Sequence, residues 1–186
     1  MIPAGAYRRP MDRSTFSSLS GSDAAVALRS LARRFRESFR PGELAGEAVA
    51  ADVGAMPPGG GPSPLELVER AARGLAALRD ATEQVLVHDD PQLPADLLDR
   101  AERDGGSPAT GGSTGALSAA LGRLRDAAEG LADRAQHVSL KDWGRTGRVG
   151  GSAVSAIELT QEAVATGRTY LDQLAPALDG VRRSPK

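Results

Sequence analysis

The chain has 186 residues, of which 40% are hydrophobic and 25% are charged, and its formal net charge is −1. A chain of this length and composition suits one globular domain, and its near-zero charge gives no electrostatic reason to expect nucleic acid as a partner. The absence of cysteine excludes disulfides, thiolate nucleophiles and cysteine-based metal sites.

The first segment, residues 1–20, is predicted to be a flexible tail because it carries Pro3, Pro10 and a cluster of serine and threonine residues. It has no apolar stretch typical of a signal peptide, and no apolar run in the chain approaches the roughly 18–20 residues of a membrane span. We therefore expect a cytoplasmic location and no membrane partner. The strong bias towards arginine, alanine and glycine is typical of a high-GC coding sequence, such as an actinobacterial one.

A first helix is predicted to begin at Ser20 or Ser22, either of which can cap its free N–H groups. Aromatic residues make up only 3% of the chain, so the core must be built from aliphatic side chains, which favours helices. The apolar residues of this helix fall on one stripe: Leu28, Leu31, Phe35 and Phe39. Four arginines lie off that stripe: Arg29, Arg33, Arg34 and Arg36.

Pro41 and Gly42 are predicted to end the first helix and to open a long loop, rich in glycine and proline, that occupies the segment 40–62. Such a loop is either a lid over a pocket or a flexible crossover, and the crossover is the simpler interpretation.

The second helix has the clearest start signal in the chain. Ser63 can cap it, Pro64 suits its first turn, and Glu66 is placed to complete a capping box. This helix is predicted to end near His88. A short extra helix is a further expectation for residues 94–103, before a glycine-rich loop.

The third helix has the most regular apolar pattern, with alternating spacings of four and three residues that are typical of a bundle seam. Its members are Leu117, Leu121, Leu124, Ala128, Leu131, Ala135 and Val138. A loop around Trp143 is then predicted to lead into the last helix, roughly from Ser152 to Leu178, which Pro176 would bend or end.

Four amphipathic helices without a strand signal predict an all-α, up-down four-helix bundle. The domain is predicted to span residues 21–179 and to be followed by a short flexible tail at residues 180–186.

The order of several sequence features resembles that of a known family. The features are Ala24-Ala25-Val26-Ala27-Leu28-Arg29-Ser30-Leu31-Ala32-Arg33-Arg34-Phe35-Arg36, then Ser63-Pro64-Leu65-Glu66-Leu67-Val68-Glu69-Arg70, then Asp142-Trp143 with Arg145-Thr146-Gly147-Arg148, and a last helix after Gly150-Gly151. Together they resemble the DinB/YfiT-like superfamily, which includes mycothiol-dependent maleylpyruvate isomerases and bacterial thiol transferases. The likeness covers about residues 22–178, and it implies a DinB-like bundle.

The resemblance also implies a metal site, because members of that family hold a divalent metal with three histidines. One lies four residues after the glutamate of the second helix start, where this chain has Arg70. The other two come from the last helix, where the corresponding pairs are Thr166/Tyr170 or Ala165/Thr169. The three-histidine site is therefore missing, and no metal is expected. A replacement built from Glu66, Glu69 and Glu162 is an alternative, although solvated helix faces explain those carboxylates better.

The positions of the missing ligands suggest a small-molecule pocket between the second and last helices. A guanidinium recognises carboxylates bidentately, so Arg70 with Tyr170, joined by Glu66 or Glu162 and bordered by Thr166, is a candidate site for an anionic metabolite or thiol adduct. An alternative with equal support is that Arg70 forms a salt bridge and fills the space that the metal site occupies in the family.

Whether the protein is an enzyme stays open at this point. If it is, Tyr170 or Glu162 would act as a metal-independent acid–base catalyst; no cofactor is expected, although a thiol cofactor is left open. Trp143 is either a plug at one end of the bundle, the favoured interpretation, or a ligand-stacking residue. Two alternatives remain: a non-catalytic interaction module that forms a homodimer through the seam of the third helix, and a metal-dependent transferase or isomerase with non-standard ligands.

Overall fold

The computed structural model describes residues 16–47, 51–97 and 113–183. Within these ranges lie six helices and three short strands. In chain order they are α1 (Gly21–Glu37), α2 (Pro41–Ala45), α3 (Pro64–Val87), β1 (Gln92–Leu93), α4 (Ser113–His137), α5 (Leu140–Trp143), β2 (Thr146–Val149), β3 (Ser152–Ser155) and α6 (Ala156–Arg182). The fold is mostly helical, as the sequence predicts, but it is not purely α-helical.

The four long helices pack side by side, and each of α1 and α3 contacts both α4 and α6. The direction of α1 relative to α6 follows from two hydrogen bonds. The Gln161 side chain donates to the carbonyl of Leu19 near the start of both helices, and Arg182 donates to the carbonyl of Ser38 near their ends. These two neighbouring helices therefore run in the same direction.

The helices α3 and α4 also run in the same direction, because Glu69 pairs with Arg123 and, farther along both helices, Glu83 pairs with Arg134. The predicted up-down alternation is wrong in this respect, since neighbouring helices in such a bundle are antiparallel. The segment between the two helices, residues 88–112, is long enough to allow a parallel pair.

The apolar interior consists of two clusters stacked along the helices. The first cluster lies towards the strands and includes Leu28 of α1, Leu131 of α4 and Leu159 of α6. The second cluster lies towards the opposite end and includes Phe35 of α1 and Leu174 of α6. All four residues of the predicted stripe on α1 are buried, and five of the seven residues of the predicted seam of α4 are buried as well. Leu121 and Val138 are only partly buried, and Val138 follows the end of the helix. The seam therefore packs within the chain itself.

The helix starts are capped by the serines that the sequence singles out. Ser20 caps α1 and accepts from the N–H of Asp23, while Ser63 caps α3 and accepts from the N–H of Glu66 at 3.1 Å. The capping box predicted at the start of α3 is only half formed. The carboxylate of Glu66 pairs with Arg70 one turn later rather than with the backbone of Ser63.

The segment between α1 and α3 is more ordered than the predicted loop. It contains the helix α2, which begins at Pro41, where a missing N–H breaks no helical hydrogen bond. Further along, Val53 is buried and its carbonyl accepts from the N–H of Leu65. This segment is therefore attached to the second cluster at both of these points.

A small three-stranded sheet covers the end of the molecule next to the first cluster, in the region predicted to be a loop. Strand β1 pairs parallel with β2, and β2 pairs antiparallel with β3. The hairpin turns at Gly150 and Gly151, whose φ angles of 56° and 86° suit a type I′ turn. The strands have only two to four residues each, which is too short for a clear alternating pattern.

The last helix has 27 residues but lies about four residues later in the chain than predicted, because Ser152–Ser155 form β3. It continues through Pro176, whose exposed position lets the ring face solvent, and it ends at Arg182 rather than near Leu178. The side chain of Val181 is buried, so the last turn of the helix packs against the core. Most of the predicted N-terminal tail and residues 98–103 of the predicted extra helix lie outside the described residues. No helix within the described ranges is long and apolar enough to cross a membrane.

Candidate functional site

The predicted pocket lies where α3 and α6 pack closely. A Cβ atom added to Gly74 would come within 3.2 Å of the Thr166 methyl group, so the two backbones approach each other there. Because the helices are antiparallel, Arg70 and Tyr170 lie at about the same level along the pair. Their surroundings differ, however: Tyr170 is 7% exposed and belongs to the second cluster, whereas Arg70 is half-buried and pairs with Glu66.

The other predicted site residues lie farther away. Glu162 precedes Tyr170 by eight residues on α6, which is about 12 Å along the helix axis. Trp143 belongs to the first cluster and packs its ring against Gly21 at the start of α1. Tyr170 and Trp143 therefore lie in different clusters, and Glu162 lies about two helical turns from Tyr170.

The three glutamates considered as a replacement metal site are also separated. Glu66 pairs with Arg70, and Glu69 lies 3.9 Å from both Arg73 and Arg123. Glu162 has no ion pair with any residue in the described part of the chain. Within that part, no three histidine, aspartate or glutamate side chains come together as metal ligands.

A different part of the surface contains an open cleft lined by several charged side chains. This cleft of about 480 Å³ lies between α1 and α4, within the size range of about 300–1,000 Å³ that is typical of ligand pockets. We call it the arginine cleft. Its lining consists of Arg29, Ala32, Arg33, Arg36, Leu44, Ser118, Leu121, Gly122, Arg125 and Glu129.

The helical repeat explains why three arginines of α1 reach one cleft. Arg29, Arg33 and Arg36 follow the spacing i, i+4 and i+7, which places them on one face of the helix. This face lies beside the apolar stripe, on the side towards α4. Arg34 is turned about 100° or more away from all three, and it does not line the cleft. Arg125 completes the set from the facing helix.

Most of these guanidinium groups already have carboxylate partners. Arg29 binds Asp133 at 2.7 Å, and Arg125 binds Asp126 at 2.9 Å. Hydrogen bonding to Asp126, together with the negative charges of Asp126 and Glu129, raises the pKa of the exposed Arg125 side chain. The contact of Arg33 with Glu37 is longer, at 3.6 Å, and both side chains are exposed.

Arg36 is the exception among the four arginines. It makes no ion pair or side-chain hydrogen bond with another residue of the ranges 16–47, 51–97 and 113–183. Arg36 lines the cleft, and its positive charge has no carboxylate partner from those ranges. An anion would bind most favourably at Arg36, because each of the other arginines must first release a carboxylate partner.

The chemistry of the cleft suits binding better than catalysis. A guanidinium stays protonated at all ordinary pH values, so it can donate hydrogen bonds but cannot act as a general base. Glu129 and the hydroxyl of Ser118 are the other polar side chains of the lining. They can orient a ligand, but there is no histidine beside Ser118 in that lining to activate it.

The sequence contains part of the signal for this cleft. The sequence places four arginines of the first helix off the apolar stripe, and their spacing puts Arg34 on a different face from the other three. The contribution of Arg125 could not be seen, because it depends on which helix packs beside α1 and in which register.

Comparisons of this chain with the models of known protein families, with curated proteins and with solved structures give no match. The functional interpretation therefore rests on the residues and their geometry.

Proposed function

We propose that the protein binds a small anionic molecule in the arginine cleft between α1 and α4. The observation that supports this is the convergence of three arginines of α1 with Arg125 of α4 on one cleft, in which Arg36 has no carboxylate partner within the described ranges. Hydrogen bonds between guanidinium groups and carboxylate or phosphate oxygens are about twice as strong as those between neutral groups.

The main competing explanation is structural. Cations in the last turn of a helix interact favourably with its dipole, by about 0.3–1 kcal/mol. Both Arg34 and Arg36 occupy the last turn of α1, so this explanation applies equally to each of them. Only Arg36 lines the cleft, and the two residues therefore form a matched pair for separating ligand binding from helix stabilisation.

The proposal can be tested by titrating the isotopically labelled protein with inorganic phosphate and following backbone amide shifts by NMR. We expect saturable shifts that cluster on α1 and α4, with a dissociation constant that rises at least fivefold in Arg36→Gln and stays within twofold in Arg34→Gln. Equal weakening in both variants would assign Arg36 to helix stabilisation, and the absence of saturable shifts would contradict the proposal. Shifts clustered near Arg70 and Tyr170 would instead favour the site between α3 and α6.

The relationship to the DinB/YfiT-like superfamily is a second proposal, supported by the order of helix starts along the chain. It would make the protein a member without the three-histidine metal site, with Arg70, Thr166 and Tyr170 at the ligand positions. Elemental analysis of protein purified without a chelator tests the metal-dependent variant of this proposal. Stoichiometric metal that is lost in Glu66→Gln or Glu69→Gln would support non-standard carboxylate ligands, and metal-free protein would exclude them.

A further inference from the structure

The two ends of the arginine cleft differ in charge. Arg29 lies opposite Asp133, and since α1 and α4 are antiparallel here, Arg36 lies at the level of residues 122–126 of α4. At the Arg29 end, the guanidinium already binds Asp133 and Gln136. At the other end Arg125 pairs with Asp126 and approaches Glu129, whereas Arg36 has no carboxylate partner in the described ranges, so it supplies the uncompensated positive charge.

The apolar part of the lining lies next to this positive end. Leu44 and Leu121 line the cleft and also pack against the second cluster, as does Ala32. Both leucines are only partly buried, so each exposes apolar surface to the cleft. A bare inorganic ion would leave this surface in contact with water, whereas a ligand with an aliphatic part would cover it.

The carboxylates around the cleft argue against a ligand with several charges. Asp126, Glu129 and Asp133 all lie on the α4 side, within ion-pairing distance of the cleft arginines. A polyanion that extends along the cleft would meet these carboxylates as well as the arginines, and the repulsion would offset much of its binding energy. A ligand with one anionic head avoids this.

We propose that the arginine cleft takes an amphiphilic anion: one carboxylate or phosphate head held by Arg36 and Arg125, with an aliphatic chain on Leu44, Leu121 and Ala32. This inference rests on the proposed function, because it specifies the ligand class of the same cleft. Ser118 also lines the cleft, but it lies about 10 Å along α4 from Arg125, beyond Leu121, so it is not part of the proposed head-group site.

A chain-length series tests the inference on the wild-type protein. Dissociation constants would be measured by NMR for acetate, butanoate, hexanoate and octanoate, and for the corresponding alkyl phosphates, below the concentrations at which they form micelles. Full burial of one CH₂ group is worth about 0.8 kcal/mol, or about fourfold in affinity. Because the cleft is open, we expect about twofold tighter binding for each added CH₂, and no binding of octylammonium.

Two leucine variants test where the aliphatic part of the ligand binds. Leu44→Ser is expected to abolish most of the chain-length dependence, so that octanoate binds little more tightly than acetate. Leu140→Ser is the control, because Leu140 is 93% exposed and does not line the cleft. Phosphate binding with no chain-length dependence in the wild type would overturn this inference alone. Failure of phosphate and of every alkyl anion to bind would overturn the proposed function as well.

Discussion

The guanidinium of Arg182 and the carboxylate of Glu43 form a bidentate ion pair between the end of α6 and the short helix α2. Nε donates to Oε1 at 2.8 Å and Nη2 donates to Oε2 at 2.9 Å. Nη2 also donates to the carbonyl of Ser38, just beyond the end of α1. The Glu43 side chain is 3% exposed and that of Arg182 is 19% exposed, so one arginine holds three elements together in a largely desolvated position.

The first prediction concerns the loss of this arginine. Arg182→Ala would leave the buried carboxylate of Glu43 without its partner, and we expect the free energy of unfolding to fall by about 3 kcal/mol, measured by urea denaturation at neutral pH. Arg183→Ala is the control, because that side chain is 80% exposed, and it should change stability by less than about 0.5 kcal/mol. Similar losses in the two variants would show that the ion pair has no special role.

The second prediction concerns acid. Burial by itself raises the pKa of the Glu43 carboxyl, but the hydrogen bonds from the Arg182 side chain and the Arg40 backbone N–H, with the positive charges of both residues, outweigh it and lower the pKa below 4.5. A carboxyl whose pKa is lower in the folded state stabilises the fold above the unfolded pKa, and this contribution is lost as the pH falls through the folded pKa.

The stability of the wild type should therefore decrease below about pH 4.5, the reference value for this carboxyl. Glu43→Gln removes the titrating group, so its stability should decline less steeply over the same range. Urea midpoints measured from neutral pH down to pH 3 give the comparison. Parallel curves for the two proteins would mean that Glu43 does not titrate differently in the folded and unfolded states.

The third prediction concerns Trp143, the only tryptophan in the chain. A Cβ atom added to Gly21 would lie 2.7 Å from Cζ2 of this ring, so Gly21→Ala must displace the indole or the start of α1. We expect a loss of about 1–3 kcal/mol in stability and a shifted fluorescence maximum. Gly115→Ala on α4, where an added Cβ meets nothing within 4 Å, should leave the fluorescence unchanged and increase stability slightly. An unchanged spectrum in Gly21→Ala would contradict this packing.

The fourth prediction concerns the sheet. In β2, a Cβ atom added to Gly147 would lie 2.9 Å from the carbonyl oxygen of Pro91 and 2.9 Å from Cγ2 of Val85. We expect Gly147→Ala to cost about 1–3 kcal/mol and to speed amide exchange in β2 and β3. Gly144→Ala is the matched control, because its Cβ would make only an ordinary contact of 3.5 Å with Lys141. Equal exchange rates in both variants would argue against the close approach.

The fifth prediction links ligand binding to stability. A ligand present at ten times its dissociation constant stabilises the folded state by about 1.4 kcal/mol. Phosphate at that concentration should therefore raise the stability of the wild type and of Arg34→Gln by this amount. Phosphate also stabilises proteins by exclusion from their surface, so the difference between the wild type and Arg36→Gln is the relevant quantity. Because fivefold weaker binding still leaves about 0.6 kcal/mol in the variant, we expect a difference of about 0.8 kcal/mol or more. No difference would count against the arginine cleft.

The sequence predicted the helical interior well, because the apolar residues of a buried helix face recur every three or four positions. The stripe from Leu28 to Phe39 and the seam from Leu117 to Ala135 both face the core. The caps at Ser20 and Ser63 were equally readable, since a serine hydroxyl acts within one helical turn.

The candidate site has no comparable local signal. Arg70 and Tyr170 were paired from a resemblance in the order of features, and they lie at about the same level of α3 and α6, whereas Trp143 belongs to the first cluster. The strands were missed because Gln92–Leu93 pairs with a segment more than fifty residues away, and only that pairing gives such a short stretch its regular form.

The amino-acid sequence by itself determined that this chain forms amphipathic helices, where they begin, and which faces they bury, because these properties depend on neighbours within a turn or two. Only the tertiary structure decided that α3 and α4 run in the same direction, that Glu43 meets Arg182, and that Arg36 and Arg125 face one cleft. These relationships depend on the packing of whole helix faces, whose energy is nearly independent of direction, so local sequence patterns do not specify them.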